Sequence, residues 1–540
     1  MQTPRVGKWA PLAILAAAQF LMVLDQAVMN VSISQLVEDF DTDVTTIQAV
    51  ITLYSLVMAA LMVTGGKLGD IVGRRRAFTV GLVIYLTGSA LTAASWSVLV
   101  LGLGWSVLEG VGAALVLPAL AALIAGNYEG RERVVAYAVI GGVAGAGIAV
   151  GPVLGGWATT ALSWRVVFVG EVVVALLICA FVRRLHDAGR TGPRPQLDWV
   201  GSLLSAAGLG LVVVGVLNAS TWGWVSPKDS PIEPFGFALT PFVVAAGGVV
   251  LWGFRAWQAT RERHDRDPLV HFALLAVQTL RSGLSTFLAQ NLILMGIFFI
   301  VPLYLQLVQG LDALETGIQM LPVSITMVVT SLAGSTLASR FAPRGIIRVG
   351  LAVILVAVFW LLATIEPTLD SANFALAMGL LGIGMGLIAS QLGNVVQSSV
   401  GPEDRSEAGG LQYTAQQLGS SLGVALIGAI VLTGLAQNFV STVGDDERIG
   451  ADVREQVSVK VSGGVSFVAS DDVATAAAEA GVDDTTADAI VDDYEDAQLT
   501  ALKAGLLATA AIVALAFLVT GHLPSRRPGE AAAVAQVPQA

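Results

Sequence analysis

Long apolar runs separated by short polar stretches fill almost the whole chain. A membrane-crossing helix needs about 17–25 mostly apolar residues, and fourteen runs meet that length. They lie at about 9–36, 46–66, 77–95, 97–126, 134–157, 165–182, 199–218, 237–256, 282–308, 316–338, 345–365, 373–396, 408–436 and 499–521. The pattern predicts an all-α integral membrane protein. The first run follows Arg5 and Lys8, the start a signal peptide would have, but its apolar character continues well past Ala16-Ala17-Ala18 and predicts an uncleaved span.

Basic residues test that count, because they gather in cytoplasmic loops and a miscounted span would scramble alternate loops. With both termini cytoplasmic, 23 of the 29 lysines and arginines fall on the cytoplasmic side. The other six, Arg165, Lys228, Arg448, Arg454, Lys460 and Lys503, lie near external loops or external helix ends. The split predicts fourteen spans in a cell (inner or plasma) membrane with both ends inside.

Composition agrees. Of 540 residues, 55% are apolar and 13% charged, against roughly 25% charged in soluble domains. A mean hydropathy of +0.75 over this length exceeds what single cores can hide, since they stop growing near about 250–300 residues. The surplus must face lipid. The net charge of −11 argues against nucleic acid as a partner, and it has a local origin. Residues 437–498 hold fifteen acids and three bases, which leaves the rest of the chain at +1. That stretch reads as a solvated external connector, with short amphipathic helices expected at 473–480 and 487–499. Residues 221–235, with Trp222, Trp224 and three prolines, read as an interfacial loop. The lone Cys179 excludes a disulfide framework, and His186, His264, His271 and His522 have no metal-ligand spacing. No metal and no cofactor are expected.

Two segments echo each other. Gly66-Lys67-Leu68-Gly69-Asp70-Ile71-Val72-Gly73-Arg74-Arg75 ends the second run, and Thr336-Leu337-Ala338-Ser339-Arg340-Phe341-Ala342-Pro343-Arg344 ends the tenth. Internal repeats build many transporters. The echo predicts a six-helix bundle over 1–190, two inserted helices over 191–275, and a second bundle over 276–522 carrying the 437–498 loop, with a tail at 523–540.

In the first of these segments the glycines permit a tight turn and close helix contact, and Asp70 can pair with the arginines or a helix N-terminus. The fifth run carries Gly147-Ile148-Ala149-Val150-Gly151-Pro152-Val153-Leu154-Gly155-Gly156, where small residues four apart allow helices to touch and the proline bends one. Three carboxylates fall inside runs: Asp25, Glu109 and Glu171, the last nearer the external end. Intramembrane acids cost roughly 2.5–3.5 kcal/mol each on insertion scales and mark functional sites by default. With no basic residue mid-run beside them, an acidic cavity would favour organic cations. Gln290, Asn291, Gln391, Asn394, Gln412 and Gln416 fall in later runs as helix-to-helix hydrogen-bonding groups or as cavity lining.

These residues carry a resemblance. The chain looks like a major facilitator superfamily transporter of the fourteen-span drug:proton antiporter branch. Gly66–Arg75 resembles the superfamily's loop between the second and third helices, and Gly147–Gly156 its antiporter motif. Leu24-Asp25-Gln26-Ala27-Val28-Met29-Asn30 resembles the branch's first-helix motif, and Trp164-Arg165-Val166-Val167-Phe168 the sixth-helix entry. Leu305–Gly310 with Leu321-Pro322 resembles the ninth-to-tenth-helix region. The resemblance spans about 9–521 and implies a superfamily fold of two six-helix bundles plus two inserted helices. It further implies proton-coupled export of a small amphipathic, cationic substrate, with rocking access to a midplane cavity and no enzymatic activity. Asp25, Glu109 and Glu171 would bind protons or substrate, and Asn30 would shape that site. Gly66, Gly69, Asp70, Gly73, Arg74 and Arg75 would form the cytoplasmic gate, and Gly147, Gly151, Pro152, Gly155 and Gly156 a tight helix contact. A monomer is compatible with all of this.

The chain departs from the pattern at three points. Ile71 replaces a basic residue. Ser106 stands where the fourth-helix motif has an arginine tied to proton handling. Glu171 and Val173 stand where the sixth helix has Asn and Pro. Two other readings stay open: an exporter of a lipid, siderophore or metabolite, or a receptor or assembly subunit docking a partner through 437–498.

Overall fold

The computed structural model describes residues 8–42, 44–187, 196–227, 230–264, 266–462 and 467–525. Fourteen helices in it are long and apolar enough to cross a membrane. They are α1 (Ala10–Met29), α2 (Ala49–Val72), α3 (Arg74–Ala93), α4 (Val98–Asn127), α5 (Gly130–Ala158), α6 (Arg165–Arg184), α7 (Trp199–Leu217), α8 (Thr240–Arg263), α9 (Gln278–Val308), α10 (Leu314–Leu337), α11 (Pro343–Thr364), α12 (Ser371–Ser398), α13 (Arg405–Asp445) and α14 (Asp484–His522). Each matches one of the predicted apolar runs.

The helices sort by what they bury. One apolar core gathers side chains from α1 to α6, among them Leu15, Tyr54, Tyr85, Trp105 and Trp164, and from the second half it takes Tyr413. A second core gathers α9 to α14, from Leu280 to Leu523. Helices α7 and α8 pair with each other, and α7 lies on α2 and α13; Leu209 and Phe254 share a small apolar cluster with Val63, Leu411 and Leu418. The two halves meet where α2 crosses α13 and where α5 crosses α10.

Glycines set how closely the helices approach. A Cβ on Gly65 would stand 2.0 Å from the Ala114 carbonyl oxygen of α4, so only glycine fits where α2 crosses it. Gly73, with φ of 98°, makes the left-handed turn from α2 into α3. Within α4, residues Gly102–Glu109 widen into a π-helix, a local over-opening often found at functional sites.

The acidic stretch differs from its sequence reading as a solvated connector. Helices α13 and α14 run on past the membrane-length core, and Ala451–Ser462 and Ser470–Glu479 fold against them. The second of these matches the expected helix at 473–480, whereas 487–499 is the first part of α14. Phe439 and Tyr494 meet edge to face at 5.3 Å, Gln498 Nε2 donates to the Val468 carbonyl at 2.7 Å, and Arg448 bridges Asp446 and Asp492. Aromatic and aliphatic residues spaced along two long helices supply a small core that charge counting does not reveal. Of the predicted tail, 526–540 lies outside the described residues.

Candidate functional site

Asp25, Glu109 and Glu171 come from α1, α4 and α6, yet one oxygen of each lies within 4.8 Å of the others. All three are buried, Asp25 and Glu109 at 0% exposure and Glu171 at 2%. Glu171 is thus no peripheral residue, because the crossing of α6 with α3 brings it to the other two.

Neutral donors hold one oxygen of each carboxylate. Trp105 Nε1 donates to Asp25 Oδ1 at 2.7 Å. Tyr85 and Ser89 hydroxyls donate to Glu171 Oε2 at 3.1 and 3.2 Å, and Thr92 Oγ1 donates to Glu109 Oε1 at 3.1 Å. The second oxygen of each acid has no directed donor, and the Tyr54 hydroxyl lies within hydrogen-bonding reach of Asp25. None of the ion pairs among the described residues reaches the cluster.

Close packing walls the cluster in. A Cβ at Gly88 would lie 2.6 Å from Glu109 Cγ, and one at Gly104 would lie 2.8 Å from Thr92 Oγ1. Tyr54 stacks on Trp105 with ring centres 4.6 Å apart. The acids therefore face the interior of the first bundle and not an open cavity, so an organic cation does not reach them in this conformation. Three ionised carboxylates so near one another in a dry interior are untenable without a counter-charge. Protons or a small cation must be present.

Sequence reasoning found the acids and missed their partners. Tyr85, Ser89 and Thr92 are spaced i, i+4, i+7 on α3, which puts a polar stripe on one helix face. That stripe was the available signal. Ser106, in place of the family arginine, donates to the Val50 carbonyl at 2.7 Å and is buried.

The Gly66–Arg75 segment works between the halves. Arg74 lies 3.6 Å from Asp70, donates from Nε to Ser406 Oγ at 3.0 Å, and reaches the Pro402 carbonyl. A Cβ at Gly66 would lie 2.6 Å from the Ser406 carbonyl oxygen, whereas one at Gly69 would find ordinary room, 3.6 Å from Ser406 Oγ. Arg75 turns back to its own half, its backbone N–H donating to Asp187 Oδ2 at 3.0 Å. Further bonds tie the halves at this end: Arg133 to Asn394 and Ser398 at 3.1 Å each, and Arg405 to the Ala125 carbonyl at 2.9 Å. This end is closed.

The α5 motif faces α1. Cβ atoms at Gly147, Gly151 and Gly155 would meet Val23 Cγ1 at 2.9 Å, Ala27 Cβ at 2.2 Å and Val28 Cα at 3.1 Å. It clamps the helix that carries Asp25. Gly156 follows in the same helix, and the side chains of Pro152 and Asn30 lie outside the described residues. Several amides bond within and between helices: Asn291 to the Phe287 carbonyl, Gln391 to the Gly334 carbonyl, and Asn394 to Arg133. Between α5 and α10 lies an open apolar cleft of about 260 Å³, lined by Val150, Val153, Leu154, Trp157 and Leu321.

Comparison with known proteins places this architecture. A family profile described as Major Facilitator Superfamily matches residues 15–424. The chain is 32% identical over 434 residues to the puromycin resistance protein pur8 of Streptomyces alboniger, covering 79% of this chain and 83% of that one. It is 29% identical over 450 residues to a probable actinorhodin transporter of Streptomyces coelicolor, covering 82% and 75%. It is 28% identical over 465 residues to the multidrug efflux pump LfrA of Mycolicibacterium smegmatis, covering 86% and 88%. Among solved structures, the human organic anion transporter MFSD10 superposes with a TM-score of 0.61 at 13% identity, covering 96% of this chain and 100% of that one, a likeness of fold alone. With its fourteen apolar helices and its transporter relatives, the chain is a multi-pass membrane protein and not an enzyme, and it belongs to the major facilitator superfamily.

Proposed function

We propose that the protein is a secondary exporter of amphipathic, cationic compounds, driven by protons moving inward through the Asp25–Glu109–Glu171 cluster. The observation that carries this reading is the cluster itself: three buried acids without a counter-charge, in a chain whose relatives are named for antibiotic resistance and efflux. Protonation removes the charge conflict and lets the first bundle move as a neutral body. Deprotonation restores the conflict, which gives the two access states different energies. The apolar cleft beside α5 suits an amphipathic molecule arriving from lipid.

In this reading α1–α6 and α9–α14 rock as two bodies, with α7–α8 riding on the α2–α13 crossing. The closed, arginine-rich end faces the cytoplasm, and both termini lie there, in the cell membrane. Asp70 with Arg74 holds the gate shut, Arg75 braces it, and Gly147–Gly156 keeps α1 and α5 sealed.

Everted vesicles provide the test. A drug added to energised vesicles should release protons in wild type, and Asp25→Asn or Glu109→Gln should reduce that release by at least about tenfold, the rate equivalent of about 1.4 kcal/mol. Unchanged coupling in both variants overturns the assignment.

A further inference from the structure

Further along the crossing of the halves, beyond the arginine-rich end, α1, α2 and α13 meet through uncharged side chains. The Tyr413 hydroxyl of α13 donates to Gln19 Oε1 of α1 at 3.0 Å. One turn on, Gln417 Nε2 approaches the Met58 sulfur of α2 at 4.0 Å, and Gln26 Nε2 of α1 donates to the same sulfur at 3.4 Å. The spacings agree with these contacts. Gln19 and Gln26 lie seven residues apart and Tyr413 and Gln417 four, so each pair shares one helix face. Gln19, Met58 and Tyr413 are buried, whereas Gln26 and Gln417 keep part of their surface open.

The Met58 contact is chemically poor. A thioether sulfur carries no hydrogen and accepts only weakly, so two amide N–H groups from opposite halves share one weak acceptor. The Gln417 distance is long even for sulfur. Methionine is also the side chain most able to yield its place, being unbranched with three rotatable bonds. A carbonyl oxygen has two lone pairs and accepts more strongly. One such oxygen in place of the sulfur would take both bonds.

We propose that Gln26, Met58 and Gln417 form a substrate-contact site that selects a planar aromatic compound carrying a carbonyl oxygen. The oxygen seats between the two amides, and the displaced sulfur packs on the ring, a contact that thioethers favour. The inference rests on the export reading and narrows its substrate. None of these side chains is charged, so the site reads an acceptor oxygen and tolerates a positive charge without selecting it. A site built to hydrogen-bond its ligand rejects an analogue that lacks the partner atom. The acids adjoin it through the same two helices: Gln26 follows Asp25 on α1, and Met58 lies one turn after Tyr54 on α2, whose hydroxyl is within reach of Asp25. Of the two sites, the amide and sulfur contact is the one that bridges the halves.

Binding to purified full-length protein in detergent tests this without a proton gradient. Two probes share one ring frame: N-methylacridone, neutral and with a carbonyl oxygen, and N-methylacridinium, a cation in which hydrogen replaces that oxygen. Gln26→Met and Gln417→Met keep side-chain length and remove the amide. Each should weaken acridone binding about three- to tenfold, as loss of one neutral hydrogen bond does, and leave acridinium binding within about twofold. Should a methionine variant fail to fold, Gln417→Asn keeps an amide but withdraws it by one methylene, with the same expected loss. Tyr413→Phe breaks the neighbouring bond between the halves without touching the site, and acridone binding should stay within about twofold of wild type. Equal losses for both probes, or a Tyr413→Phe loss as large as that of Gln417→Met, would mean that the amides only hold the halves together, and overturn the inference. Absence of saturable acridone binding while drug-driven proton release is intact overturns it too and leaves the export reading standing. Amide-dependent acridone binding in a protein that shows no drug-driven proton release supports the contact site and defeats the export reading.

Discussion

The acid cluster and the arginine-rich end put the same ingredients, carboxylates and their donors, to opposite uses. In the cluster every contact joins helices of one bundle, the donors are neutral, and no cation answers the three acids. At the arginine-rich end Arg74 answers Asp70 within its own half and also reaches Ser406 and the Pro402 carbonyl of the other. The first arrangement stores an electrostatic conflict that an incoming ion can relieve. The second is a set of separate bonds, each worth about 0.5–3 kcal/mol, that can break together when the halves separate. The acids meet within one half, and the arginine-rich contacts tie the two halves together.

Adjacent glycines on α2 test that division, because they face different partners. Gly65 faces α4 of its own half, where a Cβ would stand 2.0 Å from a backbone oxygen, and Gly66 faces α13 of the other half, where it would stand 2.6 Å away. Overpacking an interior costs about 1–3 kcal/mol or more, so Gly65→Ala should cut the yield of folded protein and lower its melting temperature. Gly66→Ala should fold, because the clash is relieved by keeping the halves apart, but efflux should fall about tenfold as closure is lost. Gly69→Ala, with ordinary room, serves as the control and should stay within about twofold of wild type. A Gly66→Ala protein that pumps normally would show that closure at this crossing is not part of the cycle.

Arg74 tests the same crossing through its bonds and not through its packing. Arg74→Ala removes the bonds to Ser406 and Pro402 and leaves the Asp70 carboxylate, only 5% exposed, without its cation. Losing one partner of a charged hydrogen bond costs at least about 1 kcal/mol, which predicts a shift of about five-fold or more toward the state open at this end. Alkylation of a cysteine placed at Ser406, in a Cys179→Ser background, reads that shift directly. Arg75→Ala removes only a side-chain bond to the Leu185 carbonyl of its own half and should leave the alkylation rate nearly unchanged. If both arginine variants raise it equally, the two halves are not what Arg74 joins.

Much of this was legible in the sequence, for identifiable reasons. The fourteen helices follow from the length of apolar runs, because lipid forces every spanning segment to satisfy its own backbone. The three acids were visible because ionisable residues in such runs are rare. Their convergence was not, since residues 25, 109 and 171 share no helix and only the crossings of α1, α3, α4 and α6 bring them together. Likewise the sequence offers the arginines of 74–76 as one cluster, yet the Arg74 side chain bonds Ser406 of the other half and the Arg75 guanidinium reaches the Leu185 carbonyl of its own. Which way a side chain leaves a turn depends on Gly73 and on what lies opposite, and pattern reading does not carry that.

The smallest expected effect concerns the joint between the α7–α8 insert and α13. The His271 backbone N–H donates to Glu407 Oε1 at 2.6 Å, and its ring Nδ1 lies 3.0 Å from Oε2. The hydrogen bond to Glu407 raises the His271 pKa above its ordinary 6.5, against a smaller opposing effect of partial burial. A raised folded-state value means the pair stabilises the protein fully below the unfolded pKa, near 6.5, and loses that stabilisation as pH rises through the higher folded value. The His271 side chain is 38% exposed, so solvent screens the pair and the gain is small. The melting temperature of wild type relative to His271→Gln should therefore be higher by only about 1 °C near pH 6 and should converge by about pH 9. The backbone bond to Glu407 persists in both proteins and cancels. A difference that stays constant across this range would mean the ring acts by packing alone, and the insert would then be joined to the gate by contacts that no pH change can loosen.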